Sequence, residues 1–263
     1  MDNRDIRIGF IGFGSMASAI CDGLLIKQAA APGNISACAR NWDKLQTNCN
    51  SRGIKACRTS QEVAEASDIV VIGVLPQTVP EIMEELGDKL KGKLILSIAY
   101  GVGCDRFTEI APEGCNHIST VPNTPVSVGE GIFVCESRHT LTDEQLELFK
   151  EVFGRIALLE FVEPKLLDLG GIVAGSTPAF MAQIAEGLAD AAVKHGMSRA
   201  ASYRIVEQMM MGTAKYMLDG DMHPAVLKDG VCSPGGATIK GVSKLEECGI
   251  RSAMIEAVDA IMN

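Results

Sequence analysis

The sequence predicts an α/β protein with a doubly wound parallel sheet in its first part and an all-helical segment in its last third. Short apolar runs alternate with stretches of helical spacing over residues 1–162. After Pro164 the β-branched runs stop and long helical segments follow. The 263 residues, 47% of them hydrophobic, suffice for two folded domains. We therefore expect one domain over residues 1–162 and another over residues 163–263.

The composition argues against several classes of function. A formal net charge of −9 opposes binding to nucleic acid or to an anionic membrane. Nine cysteines without a C-x-x-C pair, and only four histidines, favour reduced thiols and no metal site. No apolar run approaches the roughly 18–20 residues that cross a bilayer, and Asp2 and Asp5 stand where a signal peptide carries basic residues. We expect a cytoplasmic protein that acts on a small molecule.

The first strand, predicted over residues 6–11, runs into a glycine-rich turn and then into a helix that extends to about Lys27. The turn has the pattern G-x-G-x-x-A. Gly12 permits the tight turn, Gly14 lets a pyrophosphate approach the backbone, and Ala17 allows close packing of helix on sheet. A strand, this turn and a helix in this order predict a dinucleotide site, and the alternative is a glycine-rich turn without a ligand.

The second strand, predicted over residues 35–39, ends at Arg40 and Asn41. Enzymes that use NAD place Asp or Glu at this point to bind the ribose hydroxyls, whereas arginine suits the 2′-phosphate of NADP. The sequence therefore favours NADPH. NADH stays open as the alternative, because a surface arginine gives the same sequence.

The remaining elements follow from apolar periodicity and from helix-capping residues. Capping boxes at residues 59–62 and 142–145 start two helices, and a third is predicted over residues 79–90. The other predicted strands cover residues 69–72, 94–98, 116–121, 132–135 and 157–162. Helices of the last third are predicted over residues 179–194, 199–218, 234–247 and 251–261, with a short one near Pro224.

The segment S-P-G-G-A-T-I at residues 233–239 predicts a seat for an anion. Ser233 suits a helix N-cap, Pro234 suits the first helical position, and the two glycines expose the amides of the first turn. A carboxylate there would meet free N–H groups and the positive end of the helix dipole, with the Thr238 hydroxyl about one turn further in. A helix start without a ligand is the alternative, although two glycines in a first turn cost about 1 kcal/mol each relative to alanine.

Three motifs are placed along the chain as G-F-I-G-F-G-S-M-A at residues 9–17, V-P-N-T-P at residues 121–125, and L-K-D at residues 227–229 followed by the 233–239 segment. Together they resemble the Δ1-pyrroline-5-carboxylate reductase family over essentially the whole chain, and the last motif is the most specific. The resemblance implies an NADPH-binding Rossmann domain and a helical domain that forms a homodimer or a ring of dimers. It also implies reduction of a cyclic imine to L-proline.

The resemblance further implies roles for individual residues. Thr238 would be catalytic through a hydrogen bond to the imine nitrogen, and the substrate would be bound by Ser233, Gly236, Ala237 and Thr238. Tyr100 would lie on the nicotinamide side. The cofactor-binding residues that the resemblance implies are Gly12, Gly14, Ser15, Met16, Arg40, Asn41, Val74, Pro76, Ala99, Gly101 and Asn123.

The chemistry of such a reaction demands little of the protein. A cyclic imine is protonated by water near neutral pH and is then electrophilic, so the main task is to align it with the hydride donor. A threonine and a helix terminus could suffice where a ketone reductase needs His, Lys or Tyr.

Leu75, Tyr100 and Thr177 depart from the family pattern. These departures leave open another acceptor, such as a larger cyclic imine acid or a deazaflavin. They also leave open an inactive NADP-binding regulatory protein.

Overall fold

The computed structural model describes residues 5–262, so Asp2 and Asn263 lie outside the described residues. The chain divides into two compact units, of which the first ends at Gly175 and the second begins at Ser176. The first unit contains the sheet, and the described part of the second unit contains helices joined by turns and no strand.

Eight strands of the described residues form one sheet in the order β3-β2-β1-β4-β5-β6-β7-β8. They are β1 (Ile8–Ile11), β2 (Ile35–Cys38), β3 (Lys55–Ala56), β4 (Ile69–Ile72), β5 (Leu94–Ser97), β6 (Asn116–Pro122), β7 (Gly131–Glu136) and β8 (Ala157–Val162). All neighbours are parallel except β6 and β7, which are antiparallel because residues 123–130 join them without a crossover helix. The order reverses at β1 and β4, which confirms the predicted doubly wound sheet.

The described residues also form twelve α-helices. In the first unit they are α1 (Ser15–Ile26), α2 (Trp42–Arg52), α3 (Ser60–Glu65), α4 (Val79–Leu86), α5 (Cys104–Ile110), α6 (Asp143–Phe153) and α7 (Leu167–Gly175). In the second unit they are α8 (Thr177–Lys194), α9 (Arg199–Asp219), α10 (Pro224–Gly230), α11 (Ala237–Glu247) and α12 (Ile250–Met262).

The sheet is covered on both faces, as its continuous apolar strands require. In β4, Ile69 and Val71 face one core, whereas Val70 and Ile72 face the other. Helices α1, α2 and α6 pack on the first core, and α3, α4 and α5 pack on the second. Each fully buried large apolar side chain stabilises the fold by about 1.5–3 kcal/mol.

Helix α7 is held against the sheet by two consecutive glycines. A Cβ on Gly170 would lie 2.7 Å from Cγ1 of Val134, and one on Gly171 would lie 2.8 Å from Cγ1 of Val121. The helix backbone therefore lies directly on β6 and β7. This helix, α2, α5 and the two-residue strand β3 were not predicted from the sequence.

The second unit buries little apolar surface by itself. Ala189, Ser202 and Val206 are buried, but large apolar side chains of α8, α9 and α12 are exposed, among them Leu188, Ile205, Met209, Met211, Tyr216 and Ile255. Exposed apolar surface of this extent marks an interaction surface. Within the described residues, no helix has the length and apolar character to cross a membrane.

Candidate active site

The turn after β1 lies where the strand order of the sheet reverses. Gly12 has φ +88°, and a Cβ there would lie 2.5 Å from the carbonyl oxygen of Gly73. The Gly12 N–H donates to the carbonyl oxygen of Cys38 over 3.0 Å, and the Gly73 N–H donates to that of Ile11 over 2.8 Å. These bonds join the turns after β1, β2 and β4. Only glycine fits at residue 12, because both the left-handed backbone and the close approach exclude a side chain.

Helix α1 begins at this turn with an open N-terminus. Gly14 is its N-cap, no side chain caps it, and its first turn carries no acidic residue. A Cβ on Gly14 would have nothing within 4 Å, and Ser15 and Met16 are the first two helical residues. Free amides, a favourable helix dipole and open space fit the pyrophosphate of a dinucleotide.

The turn after β2 carries the two residues predicted to select the nucleotide. Arg40 is exposed. Asn41 is the N-cap of α2, because its Oδ1 accepts a 3.0 Å hydrogen bond from the Lys44 N–H. The cap orients the Asn41 side chain and leaves its amide nitrogen as a donor for a ligand.

The turn after β4 contains Val74, Leu75 and Pro76. Val74 packs against the second core, Leu75 is exposed, and Pro76 starts a single 3-10 turn. This turn borders the glycine turn, since the Gly12 Cβ position is 2.8 Å from the Val74 nitrogen.

The turn after β5 follows on the next strand of the sheet. Ala99 is buried, Gly101 has φ +77°, and the Val102 N–H closes a tight turn onto the Ala99 carbonyl oxygen over 3.2 Å. Tyr100 projects from the turn and is 49% exposed. Partial burial and the negative charge of Asp168 both raise the pKa of the Tyr100 phenol, so Tyr100 stays protonated at neutral pH.

Asn123 follows β6 and is largely buried. Its Oδ1 accepts a 3.0 Å hydrogen bond from the Ile132 N–H, and its Nδ2 donates to the Ala174 carbonyl oxygen over 3.1 Å. The side chain therefore joins β7 to the end of α7. One lone pair and one N–H remain for another partner.

The structure thus brings the predicted cofactor residues to one edge of the sheet, at the carboxyl ends of β2, β1, β4, β5 and β6. Two residues near this edge were not predicted from the sequence. Arg58 lies with its guanidinium carbon 3.5 Å from the centroid of the Trp42 ring, and Glu136 is a buried carboxylate. The signal for Arg58 would have been its position after β3, a strand too short to recognise from the sequence.

In the second unit, the predicted anion seat forms with a different helix start. Ser233 was expected as the N-cap and Pro234 as the first helical residue, and both expectations are wrong. Helix α11 begins at Ala237 with Gly236 as its N-cap. Gly235 has φ +69°, so residues 233–236 form a turn that the Gly236 N–H closes onto the Ser233 carbonyl oxygen over 3.0 Å. Glycine prefers such a turn to a helix.

The later start of α11 makes residues 233–238 more favourable for binding an anion than predicted. No side chain caps α11, and its first turn carries no acidic residue. Thr238 is the second helical residue and lies in the first turn, not one turn further in. Its hydroxyl and the free first-turn amides therefore share one helix end. A Cβ on Gly236 would lie 2.3 Å from Oγ of Ser233, so this glycine lets the serine hydroxyl approach the helix start.

Two of the four histidines have structural roles. His117 is buried, stacks on Phe107 with ring centroids 4.1 Å apart, and lies 3.0 Å through Nδ1 from Oγ1 of Thr140. Burial lowers the pKa of His117 to about 4. His223 caps α10 by accepting the Ala225 N–H over 3.2 Å. Within the described residues, no group of three or more His, Cys, Asp or Glu is arranged to hold a metal ion.

A doubly wound sheet with an uncapped glycine turn at its switch point, followed by a helical unit, defines the class of Rossmann-type nucleotide-dependent oxidoreductases. Family comparison agrees with this class. The model of the family described as NADP oxidoreductase coenzyme F420-dependent matches residues 7–101, and that of pyrroline-5-carboxylate reductase dimerisation matches residues 164–263.

Comparison with whole proteins is more specific. The chain is 37% identical to pyrroline-5-carboxylate reductase of Treponema pallidum, covering 98% of this chain and 99% of that protein. It is 38% identical to the Escherichia coli enzyme of the same name, with 97% and 96% covered. The solved Plasmodium falciparum pyrroline carboxylate reductase with NADP bound superposes with a TM-score of 0.84 at 26% identity, covering 98% and 95%. The chain belongs to the pyrroline-5-carboxylate reductase family.

Proposed function

We propose that the protein reduces Δ1-pyrroline-5-carboxylate to L-proline with NADPH. The observation that carries this proposal is the start of α11, where a serine hydroxyl, a threonine hydroxyl and uncapped amides meet at one helix end. That donor set suits a ligand with a carboxylate beside an imine nitrogen. Membership of the family supports the substrate, and the NADP named with the Plasmodium falciparum structure supports the cofactor.

The cofactor residues divide by the part of the dinucleotide they would hold. Gly12, Gly14, Ser15 and Met16 offer backbone donors to the pyrophosphate, because α1 begins there without a cap. Arg40 and Asn41 would contact the 2′-phosphate. Val74 and Pro76 would place their turn against the dinucleotide, and Ala99 and Gly101 would line the nicotinamide side with Asn123 nearby. When bound, NADPH supplies the hydride.

The substrate residues of the second unit would bind and orient the imine. The free N–H groups of Ala237 and Thr238 would donate hydrogen bonds to the substrate carboxylate. The Ser233 hydroxyl is a further donor, and Gly236 leaves room for it at the helix start. The Thr238 hydroxyl forms a hydrogen bond with the imine nitrogen. The nitrogen gains its proton from water, so the protein needs no strong acid of its own.

The state of His117 fits a reaction in which the protein supplies no strong acid. His117 is neutral because burial lowers its pKa to about 4, and it packs in the core beside Phe107. Rate enhancement then comes from alignment of the imine with the hydride donor and from the helix dipole at the carboxylate.

The organisation of the molecule follows from the same assignments. Residues 1–162 would bind the dinucleotide, and residues 163–263 would bind the substrate and a second copy of the chain. The exposed apolar side chains of α8, α9 and α12 support a homodimer, or a ring of dimers. The nine cysteines are all unpaired thiols, which supports a cytoplasmic location.

The decisive experiment follows NADPH oxidation by the purified protein with Δ1-pyrroline-5-carboxylate and identifies the product. We expect fast oxidation with one proline formed for each NADPH consumed, and slower turnover with NADH. Cofactor binding is measured separately by calorimetry with NADP⁺. Tight NADP⁺ binding without oxidation would contradict the proposed reaction and favour a regulatory protein.

One observation supports a second acceptor. Tyr100 projects half-exposed from the turn after β5, where its ring narrows or reshapes the space beside the nicotinamide residues Ala99 and Gly101. The six-membered imine acid Δ1-piperideine-2-carboxylate and a deazaflavin are therefore assayed in parallel. The deazaflavin is included because the N-terminal family match names coenzyme F420.

A further inference from the structure

An arginine stacked on tryptophan stands beside the turn that carries Arg40. The guanidinium carbon of Arg58 lies 3.5 Å from the centroid of the Trp42 ring. Trp42 is the first residue of α2 and follows Arg40 and Asn41 directly in the chain. It is also the single tryptophan of the protein. The stacked pair is therefore tied through the backbone to the residues proposed to bind the 2′-phosphate.

The pairing of β2 with β3 also places Arg58 close to Arg40. In the β2–β3 pair, Ser36 lies opposite Lys55 and Ala37 lies opposite Ala56. The Cys57 N–H donates to the Ala37 carbonyl oxygen over 2.8 Å, so the pairing continues beyond β3. By this register residue 58 lies beside residue 39, one position before Arg40. Parallel strands are about 4.8 Å apart, so the two arginines emerge from neighbouring strand ends.

The contacts of Arg58 fix its position, but none of them pairs its guanidinium with a carboxylate. Its backbone N–H donates to Oε2 of Glu62 over 3.0 Å, which fixes the main chain at the start of α3. The stack on Trp42 restricts the side chain without using its N–H donors. Among the ion pairs of the described residues, none involves Arg40 or Arg58. Two unpaired guanidinium groups at one corner are notable in a chain of net charge −9.

We propose that Arg58, held on the Trp42 ring, is a second cationic ligand of the adenosine 2′-phosphate and that it sets the preference for NADPH together with Arg40. This inference rests on the proposed dinucleotide site. A dianionic phosphate can accept hydrogen bonds from both planar guanidinium forks, whereas a ribose hydroxyl cannot match two cations. A guanidinium that is already oriented loses little side-chain freedom when the phosphate arrives.

The test compares two adenine nucleotides that differ only in the 2′-phosphate, adenosine 2′,5′-bisphosphate and adenosine 5′-monophosphate. Calorimetry on the full-length protein gives the Kd of each for wild type, Arg58→Gln and Arg58→Lys. We expect Arg58→Gln to weaken binding of the bisphosphate about 10-fold and to leave the monophosphate unchanged. Arg58→Lys retains the charge but not the fork and should fall between wild type and Arg58→Gln.

Two further variants separate the role of the charge from that of the stack. Trp42→Leu should weaken bisphosphate binding by less than Arg58→Gln, since the guanidinium remains but is no longer held. Arg155→Gln makes the same charge change at an exposed arginine before β8, the opposite edge strand of the sheet. It should change neither Kd.

Two outcomes would overturn the inference. Equal weakening of both nucleotides by Arg58→Gln would show that Arg58 stacks on adenine, and unchanged affinities would show that it only supports α3. Failure of the proposed reaction is distinguishable, because nucleotide binding needs no imine. A protein that prefers the bisphosphate through Arg58 but leaves Δ1-pyrroline-5-carboxylate unreduced would support this inference while contradicting the proposed reaction.

Discussion

The backbone N–H of Cys104 donates a 2.7 Å hydrogen bond to Oε2 of Glu136, although the two residues are 32 positions apart in sequence. Cys104 is the first residue of α5, directly after the turn that carries Ala99 and Gly101, and Glu136 is the last residue of β7. Glu136 is 2% exposed, so this hydrogen bond anchors the turn to a buried side chain. A Cβ on Gly103 would come within 3.2 Å of the same oxygen.

Burial makes this contact dependent on pH. Burial raises the pKa of Glu136, and the charges of Asp105 and Asp168 raise it further, against the Cys104 N–H and Arg138, which lower it. A carboxyl group with a raised folded pKa binds its proton more tightly in the native state. Its contribution to stability is therefore present below the unfolded pKa and is lost as pH rises through the folded pKa.

We expect Glu136→Gln to raise the Tm at pH 8 by about 2–4 °C and to lose this advantage near pH 4. Glutamine keeps an acceptor for the Cys104 N–H but carries no charge. Glu136→Leu removes the acceptor and should destabilise by about 1–3 kcal/mol at both pH values. Scanning calorimetry measures the transitions, and Glu160→Gln, at an exposed residue of β8, is the control. A lower Tm for Glu136→Gln at pH 8 would contradict this account.

His117 gives a second pH effect, in which burial lowers the pKa of the group in the folded state instead of raising it. His117 is buried and its pKa falls to about 4, so the native state resists a proton that the unfolded chain accepts near pH 6.5. Stability from this group is complete above pH 6.5 and is lost as pH falls toward 4. His117→Gln should flatten the decline of unfolding free energy over this range by about 1 kcal/mol per pH unit. Denaturant titrations at several pH values measure this, and parallel curves for both proteins would refute it.

Much of the fold was predictable because the strands are buried on both faces. In β4 the run Ile69–Ile72 was assigned from the sequence to the residue, since a continuous apolar run of this length has few other uses. The Thr142 capping box also formed as predicted, with reciprocal bonds between Thr142 and Gln145. These signals are local, so no tertiary knowledge was needed.

Helices α2 and α5 were missed although Asn41 gives α2 a local N-cap signal. The other missed elements depend on tertiary contacts. Helix α7 contains Gly170 and Gly171, which disfavour a helix locally but let it lie against Val134 and Val121. The start of α11 was misplaced because Gly235 prefers a left-handed turn over the helical position that Pro234 suggested. The glycine turn of the cofactor site was predictable because only glycine fits the backbone at residue 12. The same restriction makes the turn rigid.

The start of α11 offers a paired glycine test of the substrate seat. Gly236→Ala places a Cβ 2.3 Å from Oγ of Ser233 and must displace that hydroxyl. We expect a KM for the imine about 10-fold higher, with the KM for NADPH unchanged. Gly241→Ala, in the same helix, adds a Cβ with nothing within 4 Å and should leave both constants unchanged. Similar kinetics for the two variants would argue against a seat at residues 233–236.

Arg40 is expected to decide between the two nicotinamide cofactors. Arg40→Asp replaces a cation by the residue type that binds ribose hydroxyls and repels a 2′-phosphate. The ratio of kcat/KM for NADPH to that for NADH should fall by about 100-fold. Arg155→Asp, at the far edge of the sheet, is the control for added negative charge. An unchanged ratio in Arg40→Asp would remove Arg40 from the 2′-phosphate site.

Thr238 is the residue on which the proposed chemistry depends most directly. Its place in the first turn of α11 brings its hydroxyl to the same helix end as the amides that would hold the carboxylate. Thr238→Val preserves shape and removes the hydroxyl, so we expect kcat to fall about 10–100-fold while the Kd of NADP⁺ is unchanged. Thr238→Ser restores the hydroxyl and should recover most of the activity. Equal loss of turnover and of cofactor affinity in Thr238→Val, without rescue by serine, would show that the residue only supports the helix.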